Sequence, residues 1–233
     1  MKRFIFVILF LVAVSTAQAD VVMNGLTPYG AVQSGNSCWA AADGGMLFAT
    51  DWALQATPQD TYRDIANHLG YGIGSSWYGA SWYFSTYYPD VQQSDVLHQG
   101  YGLSSIVYDI NQGWATVVDV FPQSGLGHSL QVYGYQEDAG IIDGFYYINS
   151  WGNESLQYSP VVNGSWFYNT GYIGNITGLV PQDAYVPSPP QPPPVIPPSI
   201  AEPNQVPEPS IAWLLGLGLI VMVTGNSVSC QRN

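Results

Sequence analysis

The sequence predicts an α+β fold in which helices come first and an antiparallel sheet follows. Three helical patterns occupy the first half of the chain, and each has a recognisable start or stop signal. The second half changes to short segments rich in Val, Ile and aromatic residues, separated by turns that contain Gly and Asp. Helices followed by strands, rather than helices alternating with strands, are typical of the α+β class.

The first helical pattern begins at Cys38. Asn36 or Ser37 suits the N-cap position, and the helix should end near Thr50. The apolar residues at helical spacing within it are Trp39, Ala42, Met46 and Leu47. Gly44-Gly45 lies inside this pattern and indicates either an irregular helix or the close approach of another backbone.

Two further helices are predicted, with an aromatic segment between them. The second helix has its N-cap at Thr57 and ends at Gly70, and the third covers Leu103–Gln112 and ends at Gly113. The segment Tyr71–Pro89 shows neither a helical nor a strand period. We interpret it as a long surface segment, either a substrate-binding loop or a packed insertion.

Strand patterns dominate the rest of the domain. The segment Trp114–Phe121 is rich in Val and aromatic residues and stops at a proline. Further strands are predicted at His128–Tyr135, at Phe145–Ile148, and around Trp166 and Tyr172. Antiparallel pairing of the second and third of these strands would bring the end of one beside the start of the other.

The chain divides into four segments by composition. Residues 1–19 have the basic start, the apolar run and the Ala-Gln-Ala end of a secretory signal peptide, so we expect an exported protein. Residues 20–180 are predicted to form a single globular domain. Residues 181–205 are a proline-rich, extended linker. Residues 206–233 hold an apolar stretch of about fourteen residues, which we interpret as a membrane stop or sorting signal.

The charge of the domain excludes one class of partner. Arg63 is the only Lys or Arg between Asp20 and Val180, against thirteen Asp and Glu. Lys and Arg supply most of the affinity of proteins for nucleic acid, so nucleic acid is not expected as a partner.

Cysteine usage directs attention to Cys38. The chain has two cysteines, and the other, Cys230, lies beyond the apolar stretch. We therefore expect no disulfide framework within the domain, and an exported protein that keeps a single domain cysteine holds it either by accident or as a reactive thiol. The N-terminus of a helix favours the thiolate form of a cysteine. The alternative is an inert cysteine in the core.

A reactive thiol needs a base and a group that orients the base. His128 stands at the start of a predicted strand, and Asn149 at the end of the next one, where pairing would bring the two together. Asp143, in the turn between them, is the alternative orienting residue. The three histidines are spread along the chain without a second cysteine nearby, so neither a metal nor another cofactor is expected.

Three short motifs together resemble the papain-like cysteine peptidases. They are Ser37-Cys38-Trp39-Ala40, Gly127-His128 at the start of a strand, and Asn149-Ser150-Trp151-Gly152. The resemblance implies a papain-like fold, with Cys38 on the first helix as nucleophile, His128 as base and Asn149 as the residue that orients the imidazole. Gln33, one residue later than the family's oxyanion glutamine, is the counterpart for that role. The short domain is similar to the secreted bacterial branch that includes immunoglobulin-degrading cysteine proteases.

The C-terminal segment has a resemblance of its own. Val206-Pro207-Glu208-Pro209 followed by an apolar stretch looks like the PEP-CTERM sorting signal of Gram-negative bacteria that make exopolysaccharide. This resemblance implies recognition by an exosortase and a location in the cell envelope, the periplasm or the extracellular matrix.

The expected function is therefore that of an exported thiol peptidase with protein or peptide substrates. Two alternatives remain open. The same fold and site could transfer an acyl group to an amine, as transglutaminases do. The protein could also be a non-catalytic surface or matrix protein that binds through its Tyr- and Trp-rich segment.

Overall fold

The computed structural model describes residues 20–121, 127–151, 153–162, 165–166 and 172–187. Its architecture is α+β with an antiparallel sheet, as the sequence predicts. The predicted signal peptide, the sorting segment and all of the linker beyond residue 187 lie outside the described residues. None of the helices in the described ranges has the length and apolar character needed to cross a membrane.

The described part of the chain holds five α-helices and eight strands, with a short 3-10 helix near its end. The helices are α1 (Cys38–Ala49), α2 (Pro58–Leu69), α3 (Ser76–Tyr87), α4 (Gln93–Val96) and α5 (Leu103–Asn111). The strands are β1 (Asp20–Met23), β2 (Leu97–Gly100), β3 (Ala115–Phe121), β4 (His128–Asp138), β5 (Ile141–Asn149), β6 (Asn153–Val162), β7 (Ser165–Trp166) and β8 (Tyr172–Leu179). The 3-10 helix covers Gln182–Ala184.

Strand β4 is the centre of the sheet. The strand order is β2-β8-β3-β4-β5-β6-β7, and β1 pairs with β4 outside this path. One edge of β4 pairs with β5, and the other pairs first with β3 and then with β1. The Asn24 side chain joins β1 to the start of β3 by donating from Nδ2 to the Trp114 carbonyl oxygen at 3.0 Å. Strand β4 is therefore paired on both edges along most of its length, which fixes the position of its first residue, His128.

The predicted helix signals are confirmed at three helices. The Thr57 side chain accepts a hydrogen bond from the Asp60 backbone N–H, and Gly70 follows the last residue of α2. Helix α5 ends before Gly113, whose φ of 75° lies in the left-handed region that glycine adopts without strain. Helix α1 begins at Cys38 and ends at Ala49, next to the predicted end.

The interpretation of Tyr71–Pro89 as a segment without regular structure is wrong, because it contains helix α3. Its buried residues do recur at helical spacing; they are Ser76, Gly79, Ala80, Tyr83 and Phe84. Three of these five residues are small, and aromatic residues also lie on the other sides of the helix. The apolar pattern of the buried face therefore does not stand out in the sequence. Strands β1, β2 and β6 are likewise not predicted from the sequence.

Helix α1 packs so closely that two of its positions have room only for glycine. A Cβ atom on Gly44 would lie 2.8 Å from the Tyr62 backbone nitrogen and 2.9 Å from the Pro58 carbonyl oxygen, both in α2. A Cβ atom on Gly45 would overlap the Gln131 side chain in β4. Of the two alternatives for these glycines, the close approach of another backbone is the one observed at Gly44.

We expect Gly44→Ala to destabilise the protein, although alanine is intrinsically the better helix former by about 1 kcal/mol. The added methyl group would push the backbone of α2 away, and overpacking of this kind costs roughly 1–3 kcal/mol. Urea denaturation measures the free energy of unfolding. The control is Gly72→Ala, whose Cβ would meet no atom within 4 Å. Equal stability of Gly44→Ala and wild type would contradict the close packing of α1 on α2.

Candidate functional site

His128 and Asn149 are hydrogen-bonded to each other. His128 is the first residue of β4 and Asn149 the last of β5, and antiparallel pairing aligns Asn149 with Leu130. The His128 Nε2 atom lies 2.9 Å from Asn149 Oδ1, and both residues are buried. The proximity predicted from the order of the two strands is therefore confirmed.

The backbone of Trp151 determines the proton positions in this pair. The Trp151 N–H donates to Asn149 Oδ1 at 3.1 Å, and because a backbone N–H can only donate, the accepting atom is the amide oxygen. His128 Nε2 faces the same oxygen and must therefore carry the proton. In the neutral imidazole, Nδ1 then holds the lone pair and can accept a proton.

Burial keeps the His128 imidazole neutral. Removal from water lowers the pKa of His128 to about 4, and the hydrogen bond that His128 donates to Asn149 opposes this only in part. The Trp151 indole stacks on the imidazole, with ring centroids 4.3 Å apart and an angle of 29° between the planes. The stacked ring covers His128 and contributes to its burial.

Cys38 lies at the start of α1 and contacts the residue that follows His128 in β4. Its side chain is fully buried, and Sγ lies 3.9 Å from the Oγ of Ser129, the residue that follows His128. The Ser37 side chain, at the N-cap position, makes no capping bond to the first turn and donates instead to the Ser34 carbonyl oxygen at 2.6 Å. The backbone amides of the first turn of α1 are thus not capped by this side chain.

Cys38 is disulfide-bonded in the structure. The sequence predicts no disulfide framework within the domain and favours a reactive thiol at Cys38; in the form described here this cysteine is bonded. The only other cysteine of the chain, Cys230, lies outside the described residues. The nucleophile assigned by resemblance is therefore available only after reduction.

Gln33 is tied to the residue next to Asn149. Its backbone N–H donates to the Ser150 carbonyl oxygen at 2.9 Å, and its Oε1 accepts from Ser150 Oγ at 2.7 Å. Its Nε2 donates to the Gly35 carbonyl oxygen at 2.8 Å. Gln33 thus lies at the edge of the site, with one amide hydrogen used within its own loop.

Asp143 does not approach His128 along the sheet. It lies in β5, six residues before Asn149, which corresponds to about 20 Å along an extended strand. Its charge acts instead on Tyr158, whose pKa is raised mainly by burial and further by Asp143. The orienting position next to the imidazole is occupied by Asn149.

A buried carboxyl cluster near Cys38 was not predicted from the sequence. Ser129 Oγ donates to Asp119 Oδ1 at 2.6 Å, and Ser76 Oγ donates to the same oxygen at 3.4 Å. Asp43, in α1, is also fully buried, and both of its carboxyl oxygens lack a hydrogen-bond partner among the described residues. The sequence did contain a signal for this cluster. Asp119 interrupts the apolar run Val117–Val120, and an Asp is rarely buried in such a strand unless its carboxyl group has a partner.

Burial raises the pKa of both carboxyl groups. The pKa of Asp119 rises to about 7, although hydrogen bonds from Ser129 and Ser76 lower it. The pKa of Asp43 lies well above its usual value because of burial first and the nearby Asp119 charge second. Burial thus favours the neutral form of Asp43, and Asp119, with a pKa of about 7, changes its protonation near neutral pH.

A cavity of about 350 Å³ opens beside the site. Its lining combines aromatic rings, side-chain amides and a carboxyl-bearing residue, which include Trp77, Tyr101, Phe121, Gln99, Asn175 and Asp119. Phe121, which lines the cavity, also packs against Cys38 and so lies between the cavity and that residue. It is of a size and polarity that suit a side chain or another small organic group.

Across the described ranges, no group of three or more His, Cys, Asp or Glu side chains is arranged to hold a metal ion. The site is composed of a sulfur atom, an imidazole, an amide and buried hydroxyl and carboxyl groups. These groups can perform nucleophilic and proton-transfer chemistry.

No model of a known protein family matches this chain, and no curated protein matches it in sequence.

Proposed function

We propose that the protein, in its reduced form, is an exported thiol peptidase. Cys38 is the nucleophile, His128 the base, and Asn149 the residue that orients the imidazole. The reaction is hydrolysis of a peptide bond through an acyl-enzyme intermediate.

The observation that carries this proposal is the His128–Asn149 hydrogen bond beside the first turn of α1. Asn149 fixes the tautomer in which Nδ1 accepts a proton, and Trp151 holds the amide in that orientation. Ser129, which follows His128 in β4, contacts Cys38 Sγ. A nucleophile, a base and an orienting group thus occur in one part of the fold, as covalent catalysis requires.

The chemistry follows from the protonation states of the site. After reduction, His128 Nδ1 can take the thiol proton of Cys38, and the resulting thiolate stabilises the imidazolium ion by its charge. The thiolate attacks the peptide carbonyl carbon, and the imidazolium then donates its proton to the leaving amine. Water hydrolyses the thioester with His128 as base, which restores the thiol.

The oxyanion has two proposed donors. The Cys38 backbone N–H lies at the start of α1, where amides have no partner within the helix. The second donor is Gln33, which is fastened to Ser150 at the edge of the site. One hydrogen of its amide is engaged by Gly35, so the other is the one that would face the oxyanion.

The cavity lined by Trp77, Tyr101 and Phe121 is the proposed site for a substrate side chain. It adjoins Cys38 through Phe121, so a peptide whose carbonyl carbon approaches the sulfur can place a neighbouring side chain in it. Its aromatic walls favour apolar and aromatic side chains, and its amide groups can orient polar atoms.

The sequence also supports proposals about location and processing. The secretory signal at residues 1–19 would direct export, and the segment 206–233 would be recognised by an exosortase-type enzyme. The domain would then be tethered or released in the cell envelope, near exopolysaccharide.

A specific observation favours a second function, that of a non-catalytic binding protein. Cys38 is both fully buried and disulfide-bonded, as structural cysteines are. In that case the aromatic cavity would be a binding site without catalysis. Labelling of the reduced protein with a peptide epoxide inhibitor separates the two functions, because the epoxide forms a covalent bond only with an activated nucleophile.

Peptide hydrolysis should appear only after treatment with a dithiol such as dithiothreitol, because the disulfide blocks the nucleophile. Cys38→Ala and His128→Ala should each lower kcat/KM by orders of magnitude, since each removes a group that acts in bond cleavage. Cleavage of a fluorogenic peptide library measures the effect. Wild-type turnover by either variant would exclude the peptidase mechanism.

Asn149→Ala should lower kcat by less than Cys38→Ala does, because His128 retains some base function without its orienting partner. Asp143→Ala is the matched control, since this carboxyl lies in the same strand but away from the imidazole. The measurement is kcat for both variants at one pH. Loss of activity in Asp143→Ala with full activity in Asn149→Ala would reverse the assignment.

A further inference from the structure

Asp119 is linked to Cys38 through a single hydroxyl group. Ser129 Oγ lies 2.6 Å from Asp119 Oδ1 and 3.9 Å from Cys38 Sγ. Asp119 and Ser129 are paired in the register of β3 with β4, so the sheet itself holds the two side chains together. All three residues are fully buried, and water does not weaken the interactions between them.

The protonation of Asp119 determines how the Ser129 hydroxyl can be oriented. An ionised carboxylate can only accept, so it draws the single Ser129 hydrogen toward itself and leaves a lone pair facing Cys38. That lone pair accepts from a thiol S–H and stabilises the thiol. A protonated carboxyl can instead donate to Ser129, which frees the Ser129 hydrogen to be donated to a thiolate.

The negative charge of an ionised Asp119 has the same effect on Cys38 as the orientation of the Ser129 hydroxyl group, because both favour the thiol over the thiolate. A negative carboxylate close to Cys38 in the protein interior disfavours a second negative charge on sulfur. The groups that face Asp119 are the Asp43 carboxyl from α1 and the hydroxyl groups of Ser76 and Ser129 from α3 and β4, with His128 next to Ser129 in the chain. Thr177 from β8 extends the cluster through Ser76 at 3.0 Å. None of the carboxyl and hydroxyl groups in this set supplies a positive charge.

We propose that Asp119 is a positioning residue that acts through Ser129 to control the ionisation of Cys38. The protonated carboxyl favours the reactive thiolate, and the ionised carboxylate favours the thiol. This inference deepens the proposed function and rests on it for its catalytic consequence, which is a peptidase active on the acid side of the Asp119 titration. Burial raises the pKa of Asp119 to about 7, so the control operates near neutral pH.

The test measures the reactivity of Cys38 without requiring catalysis. The full chain is reduced with dithiothreitol and desalted, and the rate of alkylation of Cys38 by iodoacetamide is followed by peptide mapping between pH 5 and 9. In Asp119→Asn the amide is neutral at every pH and can donate to Ser129. We expect the midpoint of the alkylation profile to fall by about one pH unit, which means about tenfold faster alkylation on its acid side.

Asp109→Asn is the matched control. Asp109 is also a fully buried carboxyl with a raised pKa, of about 6, mainly because of burial. It is bonded to His98 Nδ1 at 2.7 Å in another part of the core. Its substitution should leave the Cys38 profile at the wild-type midpoint. An equal shift in both variants would overturn the inference, because it would show a general effect of removing a buried charge.

Parallel peptidase assays keep the two proposals distinguishable. A wild type that cleaves peptide, combined with an unchanged alkylation midpoint in Asp119→Asn, overturns the role of Asp119 and leaves the peptidase function standing. A shifted midpoint without peptide cleavage supports the control of Cys38 by Asp119 and counts against the peptidase. If the protein is a peptidase and Asp119 also controls Cys38, the peptidase activity of the wild type should decline above pH 7, and the Asp119→Asn variant should keep its activity there.

A second measurement covers the case in which Asp119→Asn does not fold. Coupling between two sites is reciprocal, so a thiolate at Cys38 must raise the pH at which Asp119 ionises. Carboxyl carbon NMR of the reduced protein should show a higher Asp119 midpoint in wild type than in Cys38→Ser. Equal midpoints would overturn the inference.

Discussion

The packing of helix α1 against two helices and the sheet is the constraint on which the position of every site residue depends. Gly44 brings the backbone of α2 into contact, and Gly45 does the same for the Gln131 side chain of β4. On a third side, a Cβ on Gly79 of α3 would overlap Asp43. A helix enclosed in this way cannot slide or rotate, so Cys38 at its first residue is held at one place beside the start of β4.

The interior of the domain also buries carboxyl groups, which differ in whether they have an imidazole partner. Asp109 has the imidazole of His98 as its partner, and the pair lies among Tyr108 and Trp114. The carboxyls of Asp43 and Asp119 have no such partner, and burial shifts both toward the neutral form. A carboxyl that is neutral when buried avoids most of the cost of desolvating a charge, but it makes the interior sensitive to pH. One such pH-sensitive region, around Asp119, lies next to Cys38.

The sequence predicts the elements whose signals are local. Helices α1, α2 and α5 have caps or glycine stops within one turn of their ends, and β3 to β5 have runs of β-branched and aromatic residues. Helix α3 was not predicted, because its buried face includes Gly79 and Ala80. These small residues allow neighbouring elements to pack closely and give little apolar signal in the sequence. Strand β1 was not predicted either, since its place is set by pairing with β4 more than a hundred residues later.

The same division holds within the site. The His128–Asn149 contact follows from a hairpin and could be predicted from strand order. The approach of Ser129 to Cys38 and the cluster of Asp43 with Asp119 both depend on how α1 docks on the sheet. No local pattern encodes that docking, because it results from the summed fit of many side chains.

The contacts that form the site join residues at very different separations along the chain, so they do not all form at the same stage of folding. The hydrogen bond between His128 and Asn149 spans 21 residues, whereas the contact of Cys38 with Ser129 spans 91 and that of Gln33 with Ser150 spans 117. Contacts between distant residues form late, because a long loop must be closed before they stabilise anything. The hairpin can therefore form early, while the contact of Cys38 with Ser129 forms only late in folding. If the protein is exported as proposed, a chain that crosses a membrane unfolded would carry the residues of the site apart from one another, and folding would be the step that brings them together.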